Sequence, residues 1–250
     1  MSRHLSVGRL QAETDRANAD DSSQPGRLRS QSPRALVAAS ALSSKDPSPS
    51  SEGHPAVANA RGVERLLRGI PQRATDLGAP RAAVTLVEYA DLQCPYCRDW
   101  ARHAFPALVR TYVRPGKLQI EFRGLRFLGS DSERALRAAL AAGRQGRFWT
   151  VVDLLYLNQG AEGSGWVTDG LLRTMGSEVR GLDVERMLTE RNDRGLEGSM
   201  QAAEQAAERD GVTGTPSFEL GPTGGTMRPL ELTSLDFESL RPEIDALLAS

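Results

Sequence analysis

Between Ala83 and Ala90 the chain reads AVTLVEYA, and Val84, Thr85, Leu86, Val87 and Tyr89 are β-branched, aromatic or apolar with almost no polar alternation. A strand buried on both faces reads this way, so the segment is predicted to sit at the centre of a parallel or mixed sheet. Helical periodicity follows from Pro95 to Tyr112, interrupted by Pro106, whose missing N–H kinks or breaks a helix. Leu118 to Phe122 is a second predicted strand, completing a βαβ unit.

A helical block comes next. Ser130 with Glu133 offers a capping box, and that helix runs to Gly143. Phe148 to Leu157 continues it, Thr168 caps a short helix ending near Gly176, Asp183 starts another, and Leu196 to Asp210 forms a longer one. The period then changes. Pro216 to Leu220 and Thr226 to Glu231 are predicted strands joined by the turn Gly221–Gly225, and Phe237 to Leu248 is a final amphipathic helix. The expected architecture is α/β, with βαβ, a helical insertion and ββα folding into a mixed sheet faced by helices. Before it, Val63 to Ile70 reads as a short strand or helical turn stopped by Pro71, and Leu77 to Pro80 as a turn.

Composition sets the limits of the folded part. None of the six Phe, three Trp and four Tyr precedes Tyr89, and residues 1–60 are rich in Ser, Pro, Asp, Arg and Ala. Such a segment buries too little apolar surface to offset the ordering of its backbone, so it is expected to be a disordered polar tail. The expected divisions are 1–60, then 61–128 with the cysteines, 129–211 as the helical insertion, and 212–250. Within the tail, Arg27 to Ser44 carries three arginines and a short apolar run from Ala35 to Leu42, broken by Ser40. That is a poor export signal, short and far from Met1. No apolar run reaches the roughly 18 residues of a membrane-spanning helix. A net charge of −1, with 39% hydrophobic residues, argues against nucleic acid as the main partner.

The chain has two cysteines, in Cys94-Pro95-Tyr96-Cys97, directly after the buried strand and at a helix start. A structural zinc site needs four ligands. His4 and His54 lie in the tail, which leaves His103 as a neighbour. A structural staple across so short a loop removes little unfolded-chain entropy. Two free thiols close by chance leave the strand–loop–helix position unexplained. A redox pair explains it. Unpaired N–H groups and the dipole at a helix start stabilise a thiolate, the species that attacks a disulfide, and Pro95 loses nothing in the first turn. Cys94 is expected to be exposed and to attack or be attacked, with Cys97 deeper and resolving the mixed disulfide. No metal or organic cofactor is called for.

Two distant residues could join this chemistry. Pro216, in TGTPSF, begins a strand after a glycine turn and is a candidate cis proline that would free neighbouring backbone groups to pair with an extended substrate; a trans proline in a loop is the alternative. Glu88 lies in the apolar run, six residues before Cys94. There it could move a proton at the deeper sulfur, or simply reach solvent at the strand end.

VTLVEYADLQCPYC, the helical insertion and VTGTPSF, in that order, resemble the DsbA-like branch of the thioredoxin superfamily, from about residue 62 to the C-terminus. The resemblance implies a thioredoxin-like fold with an inserted helical domain, Cys94 as nucleophile, Cys97 as resolving cysteine, Pro216 as the cis proline and Glu88 as a buried acid. It implies that Tyr96 and Thr215, with Pro95, tune redox behaviour and shape the substrate surface. The activity implied is protein thiol–disulfide exchange with cysteine-containing proteins, regenerated by a separate redox partner, in an extracytoplasmic compartment. A polar tail stands here where relatives carry a signal peptide or membrane anchor. An oxidising compartment would make the protein an oxidase, the cytosol a reductase. The rival readings are a non-catalytic peptide-binding module on this fold and a glutathione-linked small-molecule enzyme; the paired cysteines argue against both.

Overall fold

The computed structural model describes residues 60–250. The expected disordered tail, apart from Ala60, and the Arg27–Ser44 segment lie outside them. In chain order the elements are α1 (Ala60–Leu67), β1 (Gln72–Arg73), β2 (Asp76–Leu77), β3 (Val84–Ala90), α2 (Pro95–His103), α3 (Phe105–Leu108) and β4 (Leu118–Gly124). They continue with α4 (Ser130–Gly143), α5 (Phe148–Leu157), α6 (Asp169–Ser177), α7 (Val184–Glu190), α8 (Gly195–Arg209), β5 (Ser217–Pro222), β6 (Arg228–Leu230) and α9 (Phe237–Leu248).

All seven residues of β3 are buried. It lies in the six-stranded order β1-β2-β4-β3-β5-β6, parallel to β4 and antiparallel to β5. Alternation along β3 divides the core. Val84, Leu86 and Ala90 join the larger apolar cluster, which includes α2, α5 and α9, whereas Val87 and Tyr89 pack with Ala203, Ala206 and Ala207 of α8. Phe122 of β4 meets Phe148 and Trp149 edge-on, with centroids 5.3 and 5.8 Å away, so α5 is docked through aromatic rings.

The second face carries the charge. Arg123 lies over the Tyr89 ring, 5.2 Å from its centroid, and pairs with Glu121 at 2.7 Å and Asp210 at 3.4 Å. Arg126 grips Glu204 with two nitrogens at 2.7 and 2.8 Å, and Arg137 bonds Glu133 and Glu197 at 2.7 and 2.5 Å. These pairs tie α8 and α4 to the end of β4.

Several expectations are corrected. Of the two readings of Val63 to Ile70 the helical one holds, within α1 from Ala60 to Leu67, whereas the supposed turn from Leu77 contains the end of β2. The β1–β2 edge hairpin escaped detection because each strand has two residues, too few for a periodic pattern. The helix after Cys94 is broken at Ala104, with Pro106 in the first turn of α3, and a π-helical turn spans Val109–Val113. Ser130 does not cap α4. Gly129, at φ 98°, occupies that position, and no side chain accepts there. Thr168 and Asp183 do cap, accepting from Leu171 N at 3.1 Å and Arg186 N at 2.9 Å.

Candidate active site

Cys94 stands at the N-cap of α2, in extended conformation (φ −68°, ψ 122°), with Pro95 opening the helix. The expectation that Cys94 is exposed is corrected: it is 5% exposed, and Cys97 is fully buried. The loop from Thr213 to Pro216 closes over it, and Cys94 Sγ–H donates to the Thr215 carbonyl at 3.1 Å. The Thr215–Pro216 peptide bond is cis. Pro95 and Tyr96 are exposed beside the sulfur.

The two sulfurs are electrostatically unequal. The Cys94 thiol is drawn down to about 6. The chief cause is a hydrogen bond from Cys97; the Thr215 side chain and the backbone N–H groups of Cys97 and Tyr96 add to it, against partial burial. Burial pushes Cys97 the opposite way, reinforced by its neighbour Cys94 and by Glu88. A thiolate is therefore available at Cys94 near neutral pH and suppressed at Cys97.

Glu88 is buried, so it does not reach solvent at the strand end. Its register partners are Phe122 on β4 and Phe218 on β5, and cross-strand partners share a face of the sheet. Phe218 in turn packs on Trp100 of α2, with centroids 4.6 Å apart. Burial among these rings raises the carboxyl to about 8. The Trp100 indole moderates the rise, although its N–H makes no well-formed hydrogen bond.

Further polar residues hold the cysteine loop. Asp91 is fully buried and accepts from Gln93 N, Ser132 Oγ and Leu128 N at 2.8, 2.6 and 3.0 Å. The Gln93 side chain donates to Leu128 O at 2.7 Å and Ser132 Oγ at 3.0 Å and accepts from Gly163 N at 2.8 Å. Gln159, at the end of α5, donates to the carbonyls of Leu92 and Cys94 at 2.9 and 3.2 Å. The helices between β4 and β5 thus hold the cysteine loop directly. The signal for Asp91 and Gln93 was present: two polar residues between a buried strand and a helix need partners. Gln159 had none, because its role depends on the loop it meets. Phe127 was also missed. It is 50% exposed, next to the Leu128 anchor; with Tyr96, at 64%, it is one of the two large apolar side chains left exposed among the described residues.

Residues 72–224 match the thioredoxin family. A relative described as a probable disulfide bond formation protein D, from Bacillus cereus, is 30% identical over 172 residues, covering 68% of this chain and 76% of its own length. Oxidised BdbD of Bacillus subtilis shares the fold at TM-score 0.62 and 20% identity, over 71% of this chain and 94% of that one. Wolbachia pipientis alpha-DsbA1 shares it at TM-score 0.60 and 19% identity, over 75% and 96%. With a family match across most of the folded region and a cysteine pair at the start of α2, the chain belongs to the thioredoxin superfamily, as a DsbA-like thiol–disulfide oxidoreductase.

Proposed function

We propose that the protein oxidises cysteine pairs in extended protein substrates, with Cys94 as the exchanging sulfur, Cys97 as the resolving one and Glu88 as the proton donor and acceptor. The observation that carries this reading is the inequality of the two sulfurs. Support for the residues on Cys94, its partners favouring a thiolate, favours the reduced dithiol over the disulfide, and a pair more stable when reduced is an oxidant.

The steps balance as follows. A substrate thiolate attacks Cys94 Sγ of the oxidised pair, forming a mixed disulfide and releasing Cys97 as a thiolate. The Glu88 carboxyl, protonated at neutral pH, gives Cys97 its proton. A second substrate thiolate then attacks the substrate sulfur of the mixed disulfide and expels Cys94 as a thiolate. The substrate leaves with a disulfide, and the enzyme holds two reduced cysteines until a redox partner takes the two electrons. Pro95 and Tyr96 offer exposed surface beside Cys94, and the Thr215–Pro216 backbone offers an edge for an extended chain. The relatives' description as disulfide bond formation proteins favours an extracytoplasmic compartment. Among the described residues no helix is long and apolar enough to cross a membrane.

Three outcomes test this. Cys94→Ser is expected to abolish exchange, and Cys97→Ser to accumulate a covalent complex with a disulfide-containing protein substrate, whose disulfide Cys94 attacks and which no second cysteine then resolves, seen as a reducible band on a gel; exchange by Cys94→Ser contradicts the assignment. Equilibration with glutathione is expected to place the pair nearer the roughly −120 mV of a strong dithiol oxidant than the roughly −270 mV of a thioredoxin-type reductant. For Glu88 the sign is set by a raised acid. Its favourable contribution to folding is complete below about pH 4.5 and is lost as pH rises through about 8. Glu88→Gln is therefore expected to flatten the fall in denaturant stability of the reduced protein between about pH 4.5 and about pH 8 and to slow exchange at least about tenfold. An unchanged pH–stability curve and an unchanged rate would together remove Glu88 from the mechanism.

A further inference from the structure

The proton that Glu88 passes to Cys97 must be replaced, and a bound protein substrate would cover the obvious route past Tyr96 and Thr215. A second acid lies behind the site. Asp153 sits in the apolar helix α5, FWTVVDLLYL, and is 6% exposed. It accepts no hydrogen bond from the described residues, and burial followed by the charge of Glu88 raises its carboxyl above the ordinary range. One turn on, Tyr156 directs its hydroxyl toward Asp91 O at 3.5 Å, and its surroundings include Cys97 and Glu88. Asp153 and Tyr156 also line a cavity of about 350 Å³ between α1, α2, the π-helical turn and α5, together with Val63, Ala101, Arg102 and Arg110. None of Pro95, Tyr96 and Thr215 lines that cavity.

We infer that Asp153 is a positioning residue acting through Glu88, linking it to solvent in this cavity so that the site exchanges protons while a substrate covers Cys94. This rests on the exchange reaction proposed above. After Glu88 has protonated Cys97, the Glu88 carboxylate takes a proton from the Asp153 carboxyl, and Asp153 recovers one from water in the cavity. When Cys97 is deprotonated, the same transfers run backwards. The groups facing Glu88 are Cys97 and Trp100 from α2, Asp153 and Tyr156 from α5, and Phe122 and Phe218 from the flanking strands. Arg102 and Arg110 at the cavity are the cations nearest the proposed entrance. A carboxyl with one like-charged neighbour and no hydrogen-bonding cation in its surroundings keeps its proton until a stronger base appears, as a relay requires.

The test follows reduction of the oxidised protein by a reduced, tryptophan-free protein substrate in single turnovers, by tryptophan fluorescence, across about pH 5 to about pH 9, in wild type, Asp153→Asn and Asp153→Ala. Asp153→Asn is expected to slow the step about tenfold and to raise its solvent deuterium isotope effect, because proton delivery to Glu88 becomes limiting. Sodium formate is expected to restore the Asp153→Ala rate in a saturable way and to leave wild type unchanged. Should Asp153→Ala fail to fold, the isotope effect in Asp153→Asn carries the test alone. Variants that match wild type in rate and isotope effect overturn the inference, as does a loss of rate with no change in isotope effect and no formate effect. A wild-type protein that performs no exchange sinks the proposed function itself, whereas active wild type with indifferent Asp153 variants sinks the relay alone.

Discussion

The site depends on one sulfur that is stabilised as an anion and on a buried carboxyl, near the other sulfur, that resists ionisation. Cys94 gains its stabilisation from groups that the fold delivers from three directions: the thiol of Cys97 one helical turn on, the N–H groups at the start of α2, and Thr215 from the far side of the groove. Glu88 is denied the same help, because its neighbours in register are Phe122 and Phe218. The difference between its ordinary value of 4.5 and about 8 corresponds to about 5 kcal/mol between its two protonation states, an upper figure for a site that can relax. One sheet and one helix therefore carry two opposite electrostatic environments. The parallel pairing of β3 with β4 and the antiparallel pairing with β5 place them within reach of each other.

The helices between β4 and β5 do more than cover the sheet. Gln159, Ser132 and the Gly163 backbone bond the loop that presents Cys94, while Asp91 and Gln93 bond outward to meet them. A loop of this kind, held at both side chains and carbonyls, keeps the sulfur in one position through the exchange steps, which is what an attacking geometry needs. On the other face, the charge pairs of Arg126 and Arg137 with α8 and α4 keep that block attached without touching the sulfurs.

Much of this is legible in the sequence. The doubly buried β3 was plain in AVTLVEYA, the cysteine pair in its position between strand and helix, and the caps of α6 and α7 in Thr168 and Asp183. Local chemistry decides each of these. The edge hairpin was invisible because its strands are too short to show a period. The capping box at Ser130 misled because Gly129, with its positive φ, took the cap position. The exposure of Cys94 was misjudged because the residues that close over it lie more than a hundred positions away, at Thr215. Asp153 was readable in principle by the same signal that singled out Glu88, a lone acid in an apolar run, but its significance depends on which helix faces which strand.

The most direct test of the central claim is a titration of the reduced protein by the ultraviolet absorbance of the thiolate, in wild type and in Cys97→Ala. The account predicts a Cys94 midpoint near 6 in wild type, and a clear rise in Cys97→Ala, since the Cys97 thiol is the leading support of the anion. A wild-type midpoint in the ordinary thiol range of about 8.5, or one indifferent to the loss of Cys97, would contradict it.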